Sequence, residues 1–297
     1  MRLAYDVVDV FTDRPFAGNQ LAVVHGAAGL STGQCLAIAR EFNYSETTFP
    51  DPVAPDEYEV RIFTPGGEIP FAGHPTLGAA WVLQSQGLLA EGAVTQLCPA
   101  GRIGVRPDED LMELSATPQD SEGPLDDAVV AVVLADLGLS ISDLAGPVWL
   151  AGCGLTFVHV PVVADAVARA SVPTRPLSSY DGLPETRSAP EGINLHTVSG
   201  EDPDLEVHAR VFVPGLSVPE DPATGSAAAG LGIALVDRGV LPRGGRYTIT
   251  QGVEMGRPST LRGRVEVDAA TGRPTVCHVA GGVHPVASGE IEVPPVP

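Results

Sequence analysis

Three polar side chains stand at the entries to two segments of small residues, where they could move or hold protons. His74 lies in AGHPTLGAAWVL (72–83), and Asp221 and Ser226 lie in EDPATGSAAAGLGIAL (220–235). Histidine is the side chain most easily tuned to titrate near neutral pH. Each of the three could instead cap a helix or make a buried hydrogen bond, which these residue types also do well. The residue types therefore allow proton transfer without establishing it.

Glu46 is the candidate general base. It lies in NYSETTF (43–49), and the nearest basic residue along the chain is Arg40. A carboxylate among apolar and hydroxylated neighbours lies either at a solvent-exposed strand edge or in a pocket. Glutamate is rarely buried, which favours the solvent-exposed strand edge over the pocket for Glu46. In a pocket, desolvation would favour the neutral acid and make Glu46 usable in proton transfer near neutral pH.

The same two segments predict helix N-termini, where backbone N–H groups lack intrahelical partners and carry partial positive charge. Two such N-termini facing one cleft would bind a carboxylate or stabilise an oxyanion. Pro and Thr begin helices in many proteins, so a single turn of this kind has little specificity.

A long internal repeat gives these turns more weight. Residues 61–70 read RIFTPGGEIP and residues 210–219 read RVFVPGLSVP, an offset of 149 positions from 61 to 210. Arg, Phe, Pro and Gly recur in register, and each copy precedes one of the small-residue segments. The offset is half of the 297-residue chain. We therefore expect two halves of one architecture, with the active site in the cleft between them.

The remaining pattern predicts a mixed α+β, mostly antiparallel fold with a short buried helix in each half. Ser31 should cap a helix over 32–42 that ends at a left-handed Asn43. Other helices are expected at about 75–86, 126–137 and 223–236. The segment 164–187 is mixed, RPLSSYDGLPETRSAPEG (175–192) is expected to be loop, and 118–125 is the best linker candidate. Strands are expected at 3–11, 21–26, 45–49, 58–63, 93–98, 102–106, 111–115, 148–163, 193–200, 206–212, 246–252, 263–268 and 289–293.

Composition narrows the class of partner. A formal net charge of −20 argues against nucleic acid and anionic membranes. The N-terminus does not read as a signal peptide, and no apolar run reaches membrane-spanning length. The four cysteines form no CxxC pair, so we expect reduced thiols and a cytoplasmic location. The histidines show no HExxH pattern and the glycines no P-loop, so we expect neither a metal nor a cofactor.

Five motifs together resemble the PhzF family of phenazine-biosynthesis-like isomerases, whose fold is related to that of diaminopimelate epimerase. They follow the family order over nearly the whole chain: FxGNxxAVV (16–24), IAREFNYSETTF (38–49), FAGHPTLGAA (71–80), EDPATGSAAAGL (220–231) and QGVEMGRPS (251–259). The resemblance implies two pseudo-symmetric halves, each a barrel-like sheet around a central helix. We expect one half at 1–117, completed by 282–297, and the other at 118–281.

The resemblance also implies roles for single residues. Glu46 would be the acid/base that moves a proton on a small unsaturated or amino-bearing carboxylic acid, and the protein would be an isomerase, expected as a homodimer. Three further catalytic residues and four substrate-binding residues follow from the motifs: catalytic His74, Asp221 and Ser226; binding Asn19, Gly73, Thr224 and Gly225.

The sequence departs from the family pattern in Gln20, which stands where the family usually has Pro. It also lacks the paired cysteines of the diaminopimelate epimerases, because none of Cys35, Cys98, Cys153 and Cys277 lies at a helix entry. A two-thiol racemisation is therefore excluded. Two alternatives stay open: a non-catalytic carboxylate-binding protein, and a hydrolase with Ser226 as nucleophile, although TGSAA is not a GxSxG elbow.

Overall fold

The chain forms two compact units in the computed structural model, which describes residues 1–119, 121–184, 189–214 and 218–296. The first unit comprises Met1–Ser115 together with Ala280–Pro297, and the second comprises Ala116–Val279. The first unit is therefore discontinuous in sequence, and the second interrupts it. No helix among the described residues is long and apolar enough to cross a membrane.

The part of the first unit that the structure describes contains two helices and nine strands. The helices are α1 (Thr32–Phe42) and α2 (Gly73–Ser85). The strands are β1 (Arg2–Val10), β2 (Asn19–Val24), β3 (Glu46–Ala54), β4 (Glu57–Thr64), β5 (Gly67–Ile69), β6 (Val94–Cys98), β7 (Gly101–Asp108), β8 (Leu111–Ala116) and β17 (Val283–Glu292).

Among its described residues, the second unit contains three helices and eight strands, and two short 3₁₀ turns at Ile141–Asp143 and Leu177–Ser179. The helices are α3 (Asp127–Asp136), α4 (Ala164–Arg169) and α5 (Gly225–Asp237). The strands are β9 (Trp149–Cys153), β10 (Leu155–Pro161), β11 (Gly192–Ser199), β12 (Leu205–Phe212), β13 (Glu220–Asp221), β14 (Gly245–Gln251), β15 (Ser259–Val267) and β16 (Pro274–Gly281).

The two units share one strand topology. In the first, β1–β2 is antiparallel, β2–β3 parallel, β3–β4 antiparallel and β4–β6 parallel. In the second, β9–β10, β10–β11, β11–β12 and β12–β14 repeat that alternation. A parallel pair needs a crossover connection, usually a helix. The helices α1 and α2 supply it in the first unit, and α4 and α5 in the second.

The two central helices, α2 and α5, are buried because their sequences offer almost no polar face. Ten residues of α2 and eleven of α5 are buried. Both have glycine at the sixth position, where the helix approaches the sheet closely. A Cβ on Gly78 would lie 2.5 Å from a methyl of Leu21, and one on Gly230 would lie 2.8 Å from the carbonyl of Ala151. A larger residue at position 230 would force the helix off the sheet, whereas one at position 78 would displace the side chains of Leu21 and Val10.

A tyrosine hydroxyl holds each central helix at its fourth residue. The hydroxyl of Tyr58 shares its hydrogen between Gln96 Oε1 at 3.0 Å and the carbonyl of Thr76 in α2 at 3.3 Å. The hydroxyl of Tyr247 donates to the carbonyl of Ala228 in α5 at 2.8 Å. Both tyrosines are fully buried, so each hydroxyl needs such a partner.

The repeated arginines connect each sheet to its other crossover helix. Arg61 binds Glu68 and the hydroxyl of Thr32, at the start of α1. Arg210 binds Glu220 and the carbonyl of Ala170, at the end of α4. The guanidinium carbons lie 5.0 Å from the ring of Phe63 and 4.8 Å from that of Phe212. The RxF motif is thus one structural device used twice.

The local expectations for α1 are confirmed, and three features differ from the sequence analysis. Ser31 caps α1 in a capping box with Gln34, and Asn43 adopts φ 53°. The strand β16 was not predicted, α4 lies in a segment predicted only as mixed, and the parallel strand pairs were not predicted. The four cysteines are free. The expected loop 175–192 includes 185–188, which lie outside the described residues.

Two buried histidines in the second unit predict a loss of stability in acid. Burial, with Arg238 nearby, lowers the pKa of His159 and of His196 to about 3. The guanidinium of Arg238 donates to His196 Nε2 at 3.1 Å, so this nitrogen carries no proton. Unfolded histidine has a pKa near 6.5. The contribution of these two histidines to stability is therefore fully present above about pH 6.5 and is lost as the pH drops towards 3.

We expect a His196→Gln variant to lose less stability between pH 6 and pH 4 than the unsubstituted protein. The difference should approach 1.4 kcal/mol per pH unit, because the variant has one buried imidazole fewer to protonate on unfolding. Urea unfolding at several pH values measures both slopes. Equal slopes would contradict this account of His196.

Candidate functional site

Glu46 is the first residue of β3, three positions after the left-handed Asn43 that ends α1. Its Cα pairs in parallel register with Leu21 on β2. The side chain is 16% exposed, and the next two residues, Thr47 and Thr48, are fully buried. The carboxyl group is therefore at the border of the core rather than on an open strand edge.

His74 is the second residue of α2, and its side chain is only 4% exposed. Its Nε2 lies 3.3 Å from the main-chain carbonyl of Gln20. A carbonyl only accepts hydrogen bonds, so Nε2 carries the proton and Nδ1 has the lone pair. Burial lowers the pKa of His74 to about 3, so the ring is neutral at neutral pH.

Two side chains meet Nδ1 of His74. The amide of Asn19 donates to it at 3.3 Å, and Glu46 Oε2 lies 3.4 Å away. Because the ring is neutral, His74 and Glu46 do not form an ion pair at neutral pH. A carboxyl oxygen facing a nitrogen lone pair is attractive when the carboxyl group holds a proton. This arrangement can store one proton between Glu46 and His74.

A tight loop between β1 and β2 delivers Asn19 and Gln20 to His74. Buried Asp9 accepts a hydrogen bond from the amide of Phe16 at 2.7 Å. Phe16 itself is 75% exposed and has φ 62°, which is uncommon for a residue with a side chain. Gly18 has φ 66°, and a Cβ there would lie 2.3 Å from the carbonyl of Val10. The loop therefore has little freedom, which fixes both contacts of the histidine.

An Asp9→Asn substitution should loosen this loop. A hydrogen bond to a charged acceptor contributes about 1.5 kcal/mol, so the amide of Phe16 should exchange with solvent about tenfold faster. Hydrogen exchange followed by NMR measures the rate. Asp13→Asn, an exposed substitution in the same loop, serves as the control and should leave the rate unchanged. Equal rates in the two variants would contradict the role of Asp9.

In the second unit, Asp221, Thr224, Gly225 and Ser226 form the entry to α5. Asp221 ends β13, and the hydroxyl of Thr224 donates to its Oδ2 at 2.7 Å. The amide of Thr224 donates to the side chain of Gln251 at 3.3 Å. The hydroxyl and the main-chain amide of Thr224, a predicted substrate-binding residue, therefore both donate hydrogen bonds within the protein. Gly225 is buried and Ser226 is partly exposed.

The central helices differ from α1 and α3 at their N-termini. Ser31 and Asp126 cap α1 and α3 through their side chains. Ala72 and Thr224, at the N-caps of α2 and α5, make no such bond. Neither Asp221 nor Ser226 is the N-cap residue of α5. The first-turn amides of α2 and α5 can therefore serve an anionic ligand.

Each unit thus brings together its own share of the predicted residues: Asn19, Glu46, Gly73 and His74 in the first, and Asp221, Thr224, Gly225 and Ser226 in the second. Three partners were not predicted. The carbonyl of Gln20 is main chain and has no sequence signal. Asp9 and Gln251 lie in or near the family motifs, but their residue types alone do not indicate their contacts. Among the described residues, no three His, Cys, Asp or Glu side chains are grouped to hold a metal ion.

Comparisons with known proteins agree with this architecture. The family model for PhzC-PhzF, phenazine biosynthesis-like protein, matches residues 8–289. The trans-2,3-dihydro-3-hydroxyanthranilate isomerase of Pseudomonas chlororaphis is 35% identical, covering 88% of this chain and 90% of the relative. A PhzF-family protein of Bacillus anthracis has a TM-score of 0.84 at 23% identity, covering 99% and 100% of the two chains. A hydroxyproline epimerase of Agrobacterium vitis has a TM-score of 0.63 at 14% identity, covering 98% and 92%.

The fold is the α+β fold of PhzF proteins and epimerases, as predicted from the sequence. The relatives of this family are isomerases, and the prediction that this protein is an isomerase is confirmed. The chain belongs to the PhzC-PhzF family of phenazine biosynthesis-like proteins.

Proposed function

We propose that this isomerase moves a proton on a small unsaturated or amino-bearing carboxylic acid, with Glu46 as the general acid/base and without a cofactor. The observation that supports it most directly is the 3.4 Å approach of Glu46 Oε2 to His74 Nδ1. The other ring nitrogen is held by the carbonyl of Gln20. The histidine is thereby kept as a neutral hydrogen-bond acceptor for a protonated carboxyl group.

The proton balance of the proposed cycle is simple. The Glu46 carboxylate takes a proton from one carbon of the substrate and becomes a carboxylic acid. His74 Nδ1, which has a single lone pair, then accepts a hydrogen bond from that acid in place of the one from Asn19, which keeps the proton in place. The acid returns the proton to another position of the substrate, and the carboxylate is restored. General acid–base catalysis of this kind contributes roughly 10²–10⁴-fold.

The remaining residues have supporting roles in the proposal. Asn19 orients His74, and Asp221 and Ser226 bind substrate or relay protons. First-turn amides at Gly73–His74 and at Gly225–Ser226 bind the substrate carboxylate, since neither helix has a side-chain cap. Thr224 contributes by holding Asp221. Homodimer formation and a cytoplasmic location stay predictions.

Solvent deuterium uptake tests the proposal. The protein is incubated in heavy water with trans-2,3-dihydro-3-hydroxyanthranilate, the acid named for the Pseudomonas chlororaphis relative, and with a panel of small unsaturated and amino-bearing acids. Mass spectrometry should detect one deuterium or a shifted double bond in at least one acid. If acids bind but none of them exchanges, the protein is instead a non-catalytic carboxylate-binding member of the family.

A further inference from the structure

Gln251 makes three hydrogen bonds to the turn that enters α5. Its Nε2 donates to the carbonyl of Asp221 at 2.8 Å and to the hydroxyl oxygen of Thr224 at 3.2 Å. Its Oε1 accepts the amide of Thr224 at 3.3 Å. The side chain is 2% exposed. A single buried amide therefore spans both ends of the turn that contains two of the predicted site residues.

The chemistry of the partners fixes the direction of every bond. A main-chain carbonyl only accepts and a main-chain amide only donates, so the orientation of the Gln251 amide has one solution. Since Nε2 donates to the Thr224 oxygen, the Thr224 hydroxyl hydrogen points elsewhere. It points to Asp221 Oδ2, which lies 2.7 Å away. The chain of donors runs from Gln251 through Thr224 to the carboxylate.

The backbone after Gln251 is also fixed against the same turn. Gly252 has φ 74°, a conformation that favours glycine. A Cβ at this position would lie 2.6 Å from the carbonyl of Pro222 and 2.5 Å from that of Arg257. The end of β14 and the α5 entry turn are thus packed main chain against main chain, which limits how Gln251 can move.

We infer that Gln251 is a positioning residue that acts through Thr224 to hold Asp221 in its working orientation. It does not touch the proposed substrate. It sets the direction of the Thr224 hydroxyl, which donates to Oδ2 of Asp221 and so fixes the orientation of that carboxylate. The inference rests on the proposed function for its catalytic consequence, but its structural content can be tested without substrate.

Two variants test the inference. Gln251→Met keeps the length of the side chain and removes all three hydrogen bonds. Gln251→Glu keeps the shape and removes both donors. In each, the amide of Thr224 or its neighbours in 222–228 should exchange with solvent at least about tenfold faster in the substrate-free protein. With an acid that the unsubstituted enzyme converts, kcat should fall about 10- to 100-fold while KM changes less than about threefold.

Tyr247→Phe is the matched control, because it removes one buried hydrogen bond to α5 without touching the turn. We expect it to lower the melting temperature while kcat stays within about threefold of that of the unsubstituted enzyme. A kcat loss in Gln251→Met no larger than that of Tyr247→Phe would overturn the inference, as would unchanged exchange in 222–228. If the unsubstituted protein converts no acid, the proposed function fails, and the exchange data alone decide the role of Gln251.

Discussion

A Glu46→Gln variant is expected to lose about 10³-fold in the rate of solvent deuterium uptake, with the fold and substrate affinity retained. Glutamine cannot take a proton from carbon or return one. Its amide can still donate to His74 Nδ1, which Glu46 approaches to 3.4 Å, as the protonated carboxyl group would. The variant therefore mimics one protonation state of the site while removing the chemistry. Deuterium uptake by mass spectrometry and ligand titration by calorimetry measure the two effects.

Glu59→Gln provides the control for this experiment. Glu59 is an exposed residue of β4, so its substitution makes the same change in charge and shape away from His74. Its exchange rate should match that of the unsubstituted protein. If Glu46→Gln retained more than about a tenth of the exchange, Glu46 would not be the acid/base, and the proposed mechanism would have to be abandoned.

The second large effect concerns stability and compares two equivalent arginines. Arg210→Met should reduce the free energy of unfolding of the second unit by about 3–5 kcal/mol, because it leaves the buried carboxylate of Glu220 unpaired. The side chains of this pair are 8% and 10% exposed. Arg61→Met should cost the first unit about 1 kcal/mol, because Arg61 and Glu68 are 35% and 31% exposed.

The two tryptophans allow each unit to be followed separately, since Trp81 lies in the first and Trp149 in the second. Urea unfolding in Trp81→Phe and Trp149→Phe backgrounds assigns each loss to its unit. The double variant Arg210→Met with Glu220→Met should recover part of the loss, because it leaves no unpaired buried charge. Equal losses of unfolding free energy in Arg61→Met and Arg210→Met would show that burial does not determine how much this repeated ion pair contributes to stability.

The sequence predicts local structure well where the signal is local. The Ser31 cap, the left-handed Asn43 and the buried character of α2 and α5 all follow from residue type and spacing. The parallel strand pairs do not follow from residue type and spacing. The strands β2 and β3 are separated along the chain by α1, so their pairing depends on tertiary contacts rather than on the residues of either strand. The strand β16, PTVCHVAG, is not recognised from the sequence because it begins with Pro and contains a histidine. The helix α4 has only six residues, too few for a clear apolar period.

The candidate site shows the same division. Residue types and family motifs single out Glu46 and His74, and the structure places them 3.4 Å apart. No residue type could reveal that a main-chain carbonyl fixes the tautomer of His74. The sequence also could not show that the Thr224 hydroxyl binds Asp221 rather than a ligand. The direction of that hydroxyl depends on Gln251, which follows Thr224 by 27 positions.

The pairing of β1 with β17 has a consequence for how the protein is made. Arg2 lies opposite Glu292, and Val10 lies opposite Val283, so β1 bonds to a strand that is synthesised only after the whole second unit. On the ribosome, the second unit has its whole sequence available before β17 emerges, whereas β1 lacks this neighbour until translation passes residue 292. The amide of Val293 also donates to the carbonyl of Met1 at 2.9 Å. A permuted gene that begins near residue 116 and joins residue 297 to residue 1 would encode both units as uninterrupted segments.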